Sequence, residues 1–169
     1  SVEDASLTIR HLGKSAKIVP EHYEISKIRP RNLEQRLLTD LLLDPTVKLV
    51  TCVGKAGTGK SLCILAAGLE QVLEKKKYKN LIVCRPIQPV GKDIGFLPGT
   101  LEEKLEPWIA PIKDNLRFLI SNDESSRKSK NNDTVLNYYF EHGIIEVEAL
   151  TYIRGRSIPN AYIIIDEAQ

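Results

Sequence analysis

Eight consecutive residues, 54–61, read Gly-Lys-Ala-Gly-Thr-Gly-Lys-Ser and complete the GxxxxGK[ST] phosphate-binding pattern. The pattern constrains the fold as well as the ligand, because it works at a turn between a buried strand and a helix. Residues 47–53 are apolar enough to be that strand, and residues 60–73 place Leu62, Leu65, Leu69 and Val72 at helical spacing. Gly54, Gly57 and Gly59 let the backbone pass close to phosphate oxygens. The N–H groups along Gly54, Lys55, Ala56, Gly57, Thr58, Gly59, Lys60, Ser61 and Leu62 then face the ligand. Lys60 is expected to reach the β and γ phosphates and to act in the chemistry there, and the Ser61 hydroxyl to ligate Mg²⁺. A nucleoside triphosphate is the natural ligand. The competing reading, a glycine-rich turn without function, does not account for the strand and helix patterns on either side.

A chain of 169 residues suits one domain with a real core, and 42% hydrophobic with 27% charged residues exclude the disordered and fibrous classes. Apolar runs such as 161–165 are far too short to cross a bilayer, and no basic-then-apolar leader opens the sequence. A cytoplasmic location with no membrane partner is the resulting expectation. Cys52, Cys63 and Cys84 stand singly in apolar stretches, which suggests reduced core thiols rather than a disulfide framework or a zinc site. A net charge of +2 gives little support to a polyanion partner by itself. The sequence opens at Ser1 and contains no methionine, so it is expected to be a piece of a longer protein.

Residues 1–29 hold short β-like stretches at 7–9, 17–19 and 23–25, separated by Gly13 and Pro20, and are expected to form a connector or small β arm. The main domain spans 30–169. In it Leu33, Leu37, Leu38, Leu41 and Leu42 share a helical face, Asn32 and Gln35 make a capping box, and the helix ends near Asp44. Strand 47–53, the loop, its helix and an apolar strand at 81–84 form a β-loop-α-β unit, which points to an α/β fold with a mostly parallel sheet flanked by helices. Thr100 and Glu103 cap a further helix, expected to break or kink at Pro107 and Pro111, with Trp108, Ile109, Ile112, Leu116 and Leu119 as its apolar stripe. Residues 121–133 contain almost nothing that can be buried and read as a mobile polar insertion. A helix at 134–141, a strand at 144–147, an arginine-rich loop and a strand at 162–165 follow.

That last strand ends in three isoleucines followed by Asp166 and Glu167, the Walker B arrangement of two carboxylates at the carboxyl end of a buried strand. Asp166 is expected to hold Mg²⁺ together with Ser61, and Glu167 to act as the catalytic group that polarises the attacking water. Acidic residues often close strands merely to open a helix. Downstream of an intact phosphate loop the catalytic reading is favoured, and a water-activating carboxylate argues for hydrolysis over transfer to a small acceptor. Gln169 is a candidate sensor of the γ-phosphate.

Asp166-Glu-Ala-Gln169 combines with Arg85-Pro86, with Val-Gly-Lys-Asp-Ile-Gly-Phe-Leu-Pro-Gly at 90–99, with Leu-Glu-Glu-Lys at 101–104 and with Tyr-Ile-Arg-Gly-Arg at 152–156. Over about residues 30–169 the chain thereby resembles the PhoH-like ATPases. In detail, particularly Pro-Arg-Asn-Leu-Glu-Gln at 30–35 and Gly-Lys-Ala-Gly at 54–57, it is similar to the branch in which an N-terminal PIN nuclease domain precedes the ATPase. The resemblance implies a RecA-like P-loop NTPase core related to superfamily 1 helicases and incomplete at its C-terminus. It also implies Mg²⁺-dependent ATP hydrolysis, a homo-oligomeric ring and action on single-stranded RNA. By the same likeness Gln35 holds the place of a glutamine that reads adenine, Arg85 follows a strand where relatives place an RNA-contacting loop, and Arg154 and Arg156 are candidates for RNA or subunit contacts. The sensor and arginine that such folds supply after Walker B are not in the sequence. Rival readings are an ATPase that remodels protein, an ATP-dependent assembly switch and, less favoured, a small-molecule kinase.

Overall fold

The computed structural model describes residues 7–86, 101–121 and 132–169, and of residues 101–105 and 132 the backbone alone. A hairpin of β1 (Ile9–Leu12) and β2 (Ser15–Ile18) comes first, paired antiparallel with Ile9 opposite Ile18 and Arg10 opposite Lys17. Helix α1 (Leu33–Leu43) opens on Asn32, whose side chain accepts from the Gln35 N–H at 2.9 Å, as the capping pattern requires. Helix α2 (Lys60–Leu69) runs on into a π-helical turn at Glu70–Glu74, closed by Lys75 N–H donating to the Glu70 carbonyl at 2.8 Å. Then come β3 (Asn80–Arg85), α3 (Leu101–Ser121), α4 (Asn132–Glu141), β4 (Ile145–Ala149), a 3₁₀ turn at Leu150–Ile153 and β5 (Ala161–Ile165).

β3 lies between β4 and β5 and is parallel to both. Its run Leu81, Ile82, Val83, Cys84 is buried at every position, which is what a central parallel strand covered on both faces requires. Leu81 and Val83, with Ile145 and Val147 beside them on β4 and Tyr162 and Ile164 on β5, turn to one face of the sheet. There Leu65, Ala66 and Leu69 of α2, Ile112 and Leu116 of α3, and Leu136 of α4 complete a single core. Burial pushes the Cys84 thiol up to about 11 and raises that of Cys63, so both stay protonated, unreactive and part of the core.

Gly68 shows how closely α2 sits on this face. A Cβ built on it would lie 2.7 Å from Leu81 Cδ1 and 3.3 Å from Ile164 Cδ1, inside the contact distance of carbon atoms. A single methyl gains helix propensity worth about 1 kcal/mol, which offsets much of its own crowding. Two further methyls have no such offset. Gly68→Val is therefore expected to destabilise the fold by about 1–3 kcal/mol and Gly68→Ala by clearly less, a ranking that thermal melts would check.

Three sequence-based expectations need correction. Residues 47–53 pair with no strand among the described residues, and Leu49 and Val53 are 81% and 97% exposed. β-propensity says that a run fits a pleated surface, but a strand exists only where a neighbour completes its ladder, and among the described residues the outer edge of β5 carries none. Secondly, α3 is not broken at Pro107 or Pro111 but is continuous through both. Each proline removes one backbone bond, yet both are exposed, so the freed carbonyls can be hydrated while Ile112, Leu116 and Leu119 anchor the opposite side. Thirdly, helix structure takes in Ser121 and begins again at Asn132, which trims the insertion at both ends. Residues 122–131 lie outside the described residues, as do Thr100 and the segment 90–99. Among the described residues no helix is long and apolar enough to cross a membrane.

Candidate nucleotide site

The phosphate loop stands at the start of α2 and is largely exposed, open to a ligand. Gly57 and Gly59 adopt φ of +76° and +78°, the left-handed region in which a side chain is strained, so these two glycines make the turn possible. Gly59 is also the N-cap of α2 and offers no side chain to the first N–H groups, and the first turn holds no acidic residue. Unsatisfied donors and the positive end of a helix dipole thus face the loop's hollow. Lys60 Nζ curls back into that hollow, donating to the carbonyls of Gly54 at 2.7 Å and Lys55 at 2.6 Å, while the Thr58 hydroxyl donates to the Lys55 carbonyl at 2.9 Å.

One residue along, the Ser61 hydroxyl donates to Asp166 Oδ1 at 2.9 Å, across 105 positions of sequence. Asp166 is itself fixed, since its N–H donates to the Cys84 carbonyl at 2.9 Å and so extends the β3–β5 ladder one residue past the strand. The two hard oxygen donors expected to share a magnesium ion therefore stand side by side. They fit a cation that takes one or two protein ligands and completes its shell with phosphate and water. Among the described residues no group of three or more His, Cys, Asp or Glu side chains is placed to hold a metal in an all-protein cage.

Glu167 follows with φ of +53°, an uncommon conformation for a residue with a side chain. Its carboxylate is exposed and accepts from Gln169 Nε2 at 2.6 Å. Gln169 thus touches the candidate base. Gln35 reaches the loop: Nε2 donates to the Thr58 carbonyl at 3.0 Å, and Oε1 accepts from the Arg31 N–H at 2.8 Å. It spans the space between the cap of α1 and the phosphate loop instead of returning to Asn32.

The three arginines have different surroundings. Arg85, at the carboxyl end of β3, lies by the Trp108 carbonyl at 3.5 Å in a small cleft with Ile112 and Val147. Trp108 is half-buried there. Arg154 is exposed in the turn after the 3₁₀ segment. Arg156 is committed within the chain, donating to Glu148 at 2.8 Å and to Glu146 at 3.0 Å, both on β4, and these carboxylates raise its pKa further. Sequence reasoning missed a fourth group, the buried Asp40 with Arg10 and Lys17 around it. A charged residue amid the leucines of α1 was the available signal.

A glycine loop on an uncapped helix end, facing an acidic strand terminus of a parallel sheet, defines a P-loop nucleotide-binding α/β protein. The sequence pattern of the family described as PhoH-like protein matches residues 27–169. The chain belongs to that family of P-loop NTPases. It is 54% identical over 153 residues to protein PhoH2 of Bacillus subtilis, an alignment that covers 90% of this chain and 33% of that protein. With protein PhoH2 of Mycolicibacterium smegmatis it shares 42% over 158 residues (93% and 34% covered), and with that of Thermobispora bispora 41% over 157 residues (92% and 34% covered). The chain spans about a third of the length of these relatives.

Proposed function

We propose that the chain is the Mg²⁺·ATP-binding part of an ATPase that acts on single-stranded RNA as a helicase-like module. The observation that carries the nucleotide half is the 2.9 Å contact between Ser61 and Asp166 beside Lys60. In this reading Lys60 leaves the loop carbonyls for the β and γ phosphates, Ser61 and Asp166 hold the metal, and Glu167 takes a proton from water attacking the γ-phosphate. A magnesium ion, when bound, would screen the phosphate charge. Gln35 meets adenine from its place against Thr58. The core in this reading is RecA-like, with Ile163 and Ile165 of β5 45% and 47% exposed.

Single-stranded RNA is supported by the family resemblance, by the exposed Arg154 and by Arg85 at the end of β3, and ring assembly and an accompanying PIN nuclease domain by the family resemblance alone. Steady-state ATP turnover of the full-length protein, with and without single-stranded RNA, tests the RNA half directly. Stimulation supports it, whereas turnover indifferent to RNA favours protein remodelling or an assembly switch.

The arginines allow a sharper check. Arg154→Ala is expected to weaken RNA binding and reduce the slope of log affinity against log salt by roughly 0.7, the signature of one lost phosphate contact on a single strand. Arg156→Ala is expected to lower the melting temperature with little change in that slope, because its guanidinium already serves Glu146 and Glu148. Unchanged slopes for Arg85→Ala and Arg154→Ala alike would place the RNA path elsewhere.

A further inference from the structure

The hairpin β1–β2 reaches α1 through charged side chains. Arg10 and Lys17, directly opposite each other in the register, both reach one carboxylate, Asp40, at 2.9 and 2.7 Å. The Asp40 side chain is 0% exposed and that of Arg10 12%. Lys17 and the Tyr23 hydroxyl, the latter at 2.5 Å, donate hydrogen bonds to Asp40, while Arg10 pairs with it by charge. Contacts continue along the helix at a four-residue spacing: the Thr8 hydroxyl accepts from Arg36 Nη2 at 2.5 Å, and Arg10 also pairs with Asp44. Arg36 and Asp40 form one stripe of α1 that Asp44 continues at its C-cap.

The first turn of the same helix touches the phosphate loop. Gln35, next to the Arg36 held by Thr8, donates to the Thr58 carbonyl at 3.0 Å, and Gly59 approaches so near that a Cβ there would lie 3.0 Å from Gln35 Nε2. The five steps from Gln35 to Asp40 span about 7.5 Å of helix. The hairpin and the phosphate loop thus touch the same helix, at Arg36 and Asp40 on one side and at Gln35 on the other.

We propose that the hairpin is a positioning element for the nucleotide site, acting through the Arg10–Asp40–Lys17 clamp and α1 to set Gln35 against Thr58. Segments preceding the loop thereby acquire a mechanical route to nucleotide affinity. The role rests on the ATP-binding reading above, and the experiment separates the two.

Asp40→Asn would remove the buried charge that Arg10 and Lys17 share and endanger folding, so the informative variants are Arg10→Gln and Lys17→Gln, the latter at a side chain 43% exposed. Each is made in the full chain with Gln35 intact and again with Gln35→Ala. The dissociation constant of a fluorescent ATP analogue is measured with Mg²⁺, with Lys60→Ala as control and melting temperatures alongside. The expected result is a two- to tenfold weakening, about the worth of one neutral hydrogen bond, that disappears in the Gln35→Ala background while the effect on melting persists. A purely structural clamp would weaken binding by the same factor in both backgrounds. That outcome, or unchanged affinity, overturns the coupling while leaving a normal Lys60→Ala response in place. Equal binding by wild type and Lys60→Ala instead removes the nucleotide reading and the coupling with it.

Discussion

Glu167→Gln in the full-length protein is expected to lower steady-state ATP turnover by about 10²–10⁴ while ATP still binds, the range that a positioned general base contributes. The amide keeps the shape of the side chain and removes its ability to accept a proton. Its position depends on the chain before it: Asp166 continues the β3–β5 ladder, and the turn that follows holds Glu167 in a left-handed conformation. A residue with a side chain rarely stays there unless its surroundings determine it, and such strain gathers at working sites. Gln169 fixes the carboxylate further, at 2.6 Å. Quenched-flow or steady-state turnover, paired with an equilibrium binding titration, separates loss of chemistry from loss of ligand. Turnover near that of the wild type would move the base to another residue.

The features legible in the sequence were those set by local pattern. Asn32 caps α1 because its side chain reaches an N–H three residues on, and Gly57 and Gly59 turn the loop because their φ values exclude most other residues. The continuous apolar run at 81–84 fitted only a strand covered on both faces, and it became the centre of the sheet. Serine 61 and Asp166 were matched across 105 positions through the chemistry of a shared cation rather than through periodicity.

The illegible features depended on partners. Residues 47–53 have the composition of a strand, but composition does not supply the neighbour that would make them one. The prolines of α3 break a helix in isolation, yet here they face outward and the inward stripe holds the helix together. Arg156 reads as a free cation until the fold brings Glu146 and Glu148 of the edge strand beneath it. Asp40 was hidden for a related reason: its three partners come from a hairpin and a loop that sequence spacing does not tie to α1.

Lys60→Ala is the second large effect. Among the described residues its ammonium bonds to atoms of the exposed loop, chiefly the Gly54 and Lys55 carbonyls, so its removal takes nothing from the buried core. The melting temperature should change little. Binding is another matter, because the ammonium sits inside the loop at the start of α2, against the Gly54 and Lys55 carbonyls. A hydrogen bond to a charged group contributes about 1.5–3 kcal/mol, so the loss of one or two to phosphate oxygens should raise the ATP dissociation constant at least about tenfold and as much as several hundredfold or beyond. Lys60→Arg keeps the charge but not the compact head that fits between the Gly54 and Lys55 carbonyls, and should fall between the two. Calorimetric titration with Mg²⁺·ATP, read beside a thermal melt, distinguishes a lost contact from a lost fold. An alanine variant that binds ATP as wild type does would show that the lysine held against Gly54 and Lys55 stays there when nucleotide arrives, and the phosphate assignment of the loop would fall with it.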